Sequence, residues 1–138
     1  SGPLVVISAD TAISMMAVNA RQELVGGVIL PGPQLSLNAL VKNTAQLPQI
    51  DLAAKAPESI LGKSTSACLQ NGFVLGTASL LDGLADRFRA EMGQETAFYA
   101  TGNLPEAIRS SCRTKILYRS NLILDGLYRI WQRNRKGN

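Results

Sequence analysis

The sequence predicts an α/β domain in which residues 1–138 form one unit, a five-stranded mixed sheet with flanking helices. Three observations carry this expectation. The first thirty residues hold three short apolar runs rich in strand-forming residues. After Pro33, segments with apolar residues three and four apart alternate with short strand-like runs, an order that belongs to α/β folds. A hydrophobic fraction of 46% and a charged fraction of 17% suit a packed core rather than disorder.

Leu4-Val5-Val6-Ile7 reads as the first strand and Ala12 to Val18 as the second. Leu24 to Leu30 reads as the third, after a turn over Asn19 to Gln22. Gly26-Gly27 interrupts the third strand and predicts a bulge or a close backbone approach. Pro31-Gly32-Pro33 stops it. Ser36 is then expected to cap a helix that carries Leu37, Leu40 and Val41 and ends near Gln46. Gln49 to Ile60, flanked and broken by Pro48 and Pro57, reads as a loop. Gly62-Lys63-Ser64-Thr65 begins a long helix, with Leu69, Phe73, Leu80, Leu84 and Phe88 as its inner stripe. Gly72 and Gly76 weaken that helix by about 1 kcal/mol each relative to alanine, for which close helix packing is the expected compensation. Gly93 ends it as a C-terminal cap. Thr96 to Thr101, Lys115 to Tyr118 and the segments Leu104 to Ser111 and Leu122 to Arg133 complete the order as strand, strand, helix and helix. Leu124, Leu127, Ile130 and Trp131 form the buried stripe of the last helix.

Composition excludes several functions. No run of eighteen apolar residues suggests a membrane span, and Leu4 to Ile7 lacks the basic flank and length of a signal peptide. A cytoplasmic chain is the expectation. With no histidine and only Cys68 and Cys112, the chain offers no zinc cluster, no disulfide framework and no histidine-activated nucleophile. Both thiols are expected to be reduced and structural. The net charge of +4 favours anionic partners. Its basic residues thicken from Arg109 through Arg113, Lys115, Arg119, Arg129, Arg133 and Arg135 to Lys136. No aromatic stacking platforms are interleaved with them, so a solvated cationic face is preferred to a nucleic-acid site.

Three antiparallel strands followed by strands joined through helices describe the ribonuclease H-like lobe of actin-like phosphotransferases. The motifs narrow this. Leu24-Val25-Gly26-Gly27-Val28-Ile29-Leu30-Pro31-Gly32, Ser36-Leu37-Asn38-Ala39-Leu40 and Thr44-Ala45-Gln46-Leu47-Pro48 resemble the consecutive "GGxIxPG", "SLxAL" and "TAxLP" segments of type III pantothenate kinases. Ile60 to Thr65, Gln70 to Gly76, Thr101-Gly102 and Leu122 to Asn134 resemble that family's "GxST", "QxGxxxG", "TGG" and closing-helix segments. Singly each motif is weak, but their shared order is specific and covers nearly the whole chain.

The resemblance implies the C-terminal half of an enzyme that phosphorylates pantothenate with ATP, the first step of coenzyme A synthesis. It implies a divalent metal such as Mg and a monovalent cation such as K. Thr65 would contact pantothenate, with charge added by Lys63; a plain N-cap at Ser64 or Thr65 is the competing explanation. Thr11, Gly102 and Asn103 would face the nucleotide, although Gly102 serves equally well as a turn glycine. Asn103 stands where the family has a second glycine. The family's "DxGTA" reads Ser8-Ala9-Asp10-Thr11-Ala12 here. Ser8 thus replaces the cation-holding aspartate. Asp10, two residues on and roughly 6.6 Å along a strand, would offer a displaced carboxylate on the same face. A carboxylate at the glycine position also sets negative charge beside phosphates, so impaired phosphate binding is expected. Met15 and Met16, where the family is usually polar, read as core filler.

The family's first phosphate loop and its "GxDR" segment precede the part matched here. Positioning and charge neutralisation from both walls of a cleft drive phosphoryl transfer, so the chain is expected to be inactive alone. Three functions are carried forward: a kinase half completed by an N-terminal lobe, a non-enzymatic binding or regulatory homologue, and, last, a nucleic-acid-binding domain. A homodimer through the long helix is also expected, with Gly72 and Gly76 permitting close approach. The competing expectation packs both glycines inside one subunit.

Overall fold

A computed structural model describes residues 2–122 and Gly126. The strands are β1 (Leu4–Ala9), β2 (Ala12–Val18), β3 (Leu24–Pro31), β4 (Ala97–Gly102) and β5 (Ile116–Tyr118). The helices are α1 (Pro33–Lys42), α2 (Thr65–Met92) and α3 (Glu106–Ser111). The strand order is β3-β2-β1-β4-β5. The pairs β1/β2 and β2/β3 are antiparallel, and β1/β4 and β4/β5 are parallel. This is the five-stranded mixed sheet with flanking helices that the element order predicts. The last expected helix, with its stripe at Leu124, Leu127, Ile130 and Trp131, lies outside the described residues.

Alternation in the strands sets the core. Val5 pairs with Ala17 and Phe98, Ile7 with Met15 and Ala100, and Ala9 with Ile13 and Gly102. Every non-glycine member of these rows is buried, because side chains two apart share a face. One hydrophobic cluster joins this face to Leu37, Ile108 and the α2 residues Val74, Ala78, Leu81 and Ala85. Met15 is core, as expected, and Met16 is half-buried on the other face.

Gly26-Gly27 does what the sequence suggests. The β2/β3 register shifts between Ala17 and Val18 and leaves Val25 extra. Gly26 has φ of 141°, and a Cβ at Gly27 would lie 2.3 Å from the Met15 carbonyl oxygen. The Asn19 side chain shapes the preceding turn, where its Oδ1 accepts from the N–H groups of Arg21 and Glu23 at 2.9 and 3.0 Å.

Four local expectations need correction. Ser36 caps nothing: α1 starts at Pro33 after Gly32 as N-cap, because proline has a preset φ and no N–H to satisfy at the first helical position. That helix stops at Lys42 rather than near Gln46, with the Asn43 amide bonding back to the Ala39 carbonyl at 2.7 Å. The buried stripe of α2 is Asn71, Val74, Ala78, Leu81, Asp82 and Ala85. Leu80 is 43% exposed, and Phe73, Leu84 and Phe88 flank the stripe half-buried. Two alanines, Ala78 and Ala85, belong to the buried stripe, so side-chain bulk is a poor guide to it. Finally, Gly72 and Gly76 are exposed, and a Cβ at either would meet nothing within 4 Å. Close packing among the described residues does not compensate them.

Candidate functional site

The carboxyl ends of β1 and β4 and the start of α1 meet at one end of the sheet. β1 gives out at Ala9, and Asp10 and Thr11 form the tight turn into β2. The Gly32 N–H donates to the Thr11 carbonyl at 2.9 Å. A Cβ on Gly32 would lie 2.5 Å from that oxygen and 2.8 Å from the Asp10 oxygen. Glycine is therefore what lets α1 close on the turn. On the other side Gly102 has φ of 82°, and a Cβ there would stand 2.2 Å from the Ala9 carbonyl oxygen. The next N–H, of Asn103, donates to that same oxygen at 2.6 Å.

These contacts border a crevice of about 420 Å³ whose walls include Asp10, Thr11, Gln34, Asn38, Asp51 and Asn103. Thr11 and Asn103 thus share one crevice, while Gly102, next to Asn103, is not among its lining residues. Among the described residues, two carboxylates and no lysine or arginine line it. Oxygen donors of this kind suit hard cations. Among the described residues no cluster of three or more His, Cys, Asp or Glu side chains exists to hold a metal by itself. A magnesium ion here would rely on one or two carboxylates plus phosphate oxygens and water.

Ser8 is half-buried within β1, opposite Ser14 and Thr101. Asp10 is exposed and past the end of the strand. The same-face argument for the two side chains therefore fails, because strand alternation stops at Ala9. Lys63 and Thr65 are exposed at the start of α2 and do not line the crevice. There Ser64 is the N-cap, its hydroxyl accepting from the Ala67 N–H at 3.1 Å. The capping half of the Thr65 expectation thus falls on Ser64.

Sequence reasoning missed Asp82. It is 4% exposed, and its carboxylate accepts from the N–H groups of Arg113 and Thr114, each at 2.9 Å. Arg113 Nε lies 3.6 Å away. Burial pushes this carboxyl up, but the two N–H groups, the Thr114 side chain and the Arg113 charge outweigh it and hold it below its ordinary value. Asp82 fixes the entry to β5, which borders β4 and hence the Gly102 turn. Burial, then the Asp82 charge, pushes the Cys112 thiol up to about 12. Both cysteines are free.

An open α/β sheet with a crevice at the carboxyl ends of its strands belongs to a class that binds ligands there. Comparisons with known proteins name the family. The sequence model described as type III pantothenate kinase matches residues 1–87, and the chain belongs to that family. Among curated relatives named type III pantothenate kinase, that of Frankia alni is 37% identical over 133 residues, covering 96% of this chain and 52% of the relative. That of Hyphomonas neptunium is 37% identical over 134 residues, covering 97% and 52%. That of Koribacter versatilis is 38% identical over 133 residues, covering 96% and 48%. The chain thus spans about half the length of the relatives it matches. A Baf family protein of Campylobacter jejuni has a similar fold, with a TM-score of 0.63 at 19% identity over 96% of this chain and 58% of that one.

Proposed function

We propose that this domain is the C-terminal, ribonuclease H-like lobe of an actin-like phosphotransferase, and that with an N-terminal lobe opposite it phosphorylates pantothenate from ATP in the cytoplasm. The observation that carries this reading is the meeting of the Asp10-Thr11 turn, Gly32 and the Gly102-Asn103 turn around one crevice. Two of these backbone approaches tolerate no Cβ, which draws the turns together beside a space that Asp10, Thr11 and Asn103 line together with Leu35, Leu52 and Pro105. In this reading Thr11, Gly102 and Asn103 face the nucleotide. Asp10 serves the monovalent cation without Ser8, which lies half-buried within β1, and Asp10 with Asp51 accompanies a divalent ion bound chiefly through phosphate. Lys63 and Thr65, near the positive end of α2, serve the carboxylate of pantothenate. Among the described residues no helix is long and apolar enough to cross a membrane.

Catalysis would need the second wall, since a phosphoryl group in flight is stabilised by charge from several sides. The exposed face of α2 that carries Gly72, Gly76 and Gly83 supports a two-fold assembly along this helix. A coupled assay of pantothenate phosphorylation, with the chain alone and mixed with an N-terminal lobe of the family, tests the reading. Turnover only in the mixture is expected; turnover in neither overturns it.

A second reading, a homologue that binds without catalysing, is favoured by the acidic crevice. Asp10 occupies the family's glycine position, and among the described residues no lysine or arginine lines the space beside it. Phosphorylation by the mixture would eliminate this alternative. A nucleic-acid role is weakened because Arg109 pairs with Glu106 and stacks on Tyr118, while Arg113 pairs with Asp82.

A further inference from the structure

We infer that Tyr118, on β5, is a positioning residue for the nucleotide side of the crevice, acting through the peptide bond between Gly102 and Asn103. The inference rests on the proposed reading of that crevice as a nucleotide wall. The two ends of this one peptide unit are held from different strands. Its N–H, on Asn103, donates to the Ala9 carbonyl of β1 at 2.6 Å. Its carbonyl, on Gly102, accepts from the Tyr118 hydroxyl at 2.7 Å. A peptide plane bonded at both ends cannot rotate without breaking both bonds. Gly102, at φ of 82°, is the residue in this turn whose backbone would otherwise rotate most freely.

Tyr118 is itself held. The Arg109 guanidinium lies 5.0 Å from the centre of its ring, and Arg109 pairs with Glu106 one turn back on α3. The Arg119 N–H donates to the Ala100 carbonyl at 2.8 Å, which extends the β4/β5 pairing past Tyr118. The route thus runs from α3 through the Tyr118 ring and hydroxyl to the Gly102 carbonyl, and from there to the direction in which Asn103 enters the crevice. Tyr118 does not line that space. Its effect on a ligand would come entirely from holding this peptide.

Tyr118→Phe removes the hydroxyl and keeps the ring under Arg109. Leu117→Ala, one residue away with its side chain on the opposite face of the strand, controls for general loosening of β5. The full chain would be titrated with Mg–ATP while the Asn103 amide is followed by NMR and by hydrogen exchange. The expected result for Tyr118→Phe is a shifted Asn103 amide exchanging about two- to tenfold faster, with Mg–ATP affinity about two- to tenfold weaker, the range set by one neutral hydrogen bond. Leu117→Ala should match the unsubstituted chain in both. Nucleotide binding unchanged in Tyr118→Phe overturns the inference, as does an equal loss in Leu117→Ala. If the unsubstituted chain binds no Mg–ATP, the nucleotide reading of the crevice fails and this role fails with it. The ligand-free exchange rate separates that failure from a peptide that Tyr118 never held.

Discussion

Replacing Asp82 with alanine should unfasten the start of β5 at a cost readable from its surroundings. The carboxylate is nearly fully buried and accepts two backbone N–H groups at 2.9 Å. Hydrogen bonds to a charged group contribute about 1.5–3 kcal/mol each. The Thr114 residue is buried and its N–H would lose its partner, while Arg113 is exposed and its N–H would turn to water. Counting the first in full and the second in small part gives a loss of about 3 kcal/mol. For a chain of this size that is roughly a 10 °C fall in Tm. Urea and thermal unfolding followed by circular dichroism would measure it. The sign of the pH dependence follows from the lowered carboxyl of the folded state. The unfolded chain takes up its proton first as pH falls, so the contribution is complete above about pH 4 and disappears on further acidification. Asp82→Asn should therefore lie closest to the unsubstituted chain in acid and furthest from it at neutral pH. A loss below about 1 kcal/mol at pH 7, well short of even one charge-assisted bond, would refute the reasoning.

Other expectations are simpler. Gly102→Ala places a Cβ against the Ala9 carbonyl at positive φ and should cost about 2–4 kcal/mol, whereas Gly83→Ala, with open space around it, should gain about 0.5–1 kcal/mol; chemical denaturation of both checks the pair. Gly76→Leu should leave the monomer folded but abolish any two-fold assembly along α2, as light scattering would show; an unchanged dimer would exclude that face. A thiol reagent at pH 8 should label exposed Cys68 quickly and Cys112, with its thiol pushed up to about 12, only after denaturation.

How far residues alone reach can be followed position by position. β2 is legible at both ends as the apolar run Ala12 to Val18, and the structure adds which face is buried, with Ile13, Met15 and Ala17 turned to the core. The start of α1 went wrong because Ser36 looks like a cap, and only the chain's path from β3 reveals that Pro33 already begins the helix. The α2 stripe was misplaced because bulk was weighed above geometry, although Val74, Ala78, Leu81 and Ala85 keep helical spacing just as well. Asp82 was overlooked because one acid in a helix resembles a solvated face, and its partners lie more than thirty residues away. In the crevice, Thr11 and Asn103 were visible through the order of motifs. Gln34, Asn38 and Asp51 come from a helix start and a loop, where no local pattern marks a wall. Asp10 kept its place beside the crevice but lost its strand-face relation to Ser8, since the turn begins one residue earlier than alternation assumed.

The claim that one end of this sheet forms a nucleotide wall is tested most directly by following backbone amides of the chain during addition of Mg–ATP. Perturbations concentrated at Asp10, Thr11, Gly32, Gly102 and Asn103 are the predicted result. Perturbations confined to the far end of the sheet, around Asn19 and Glu91, or none at millimolar nucleotide, would contradict it.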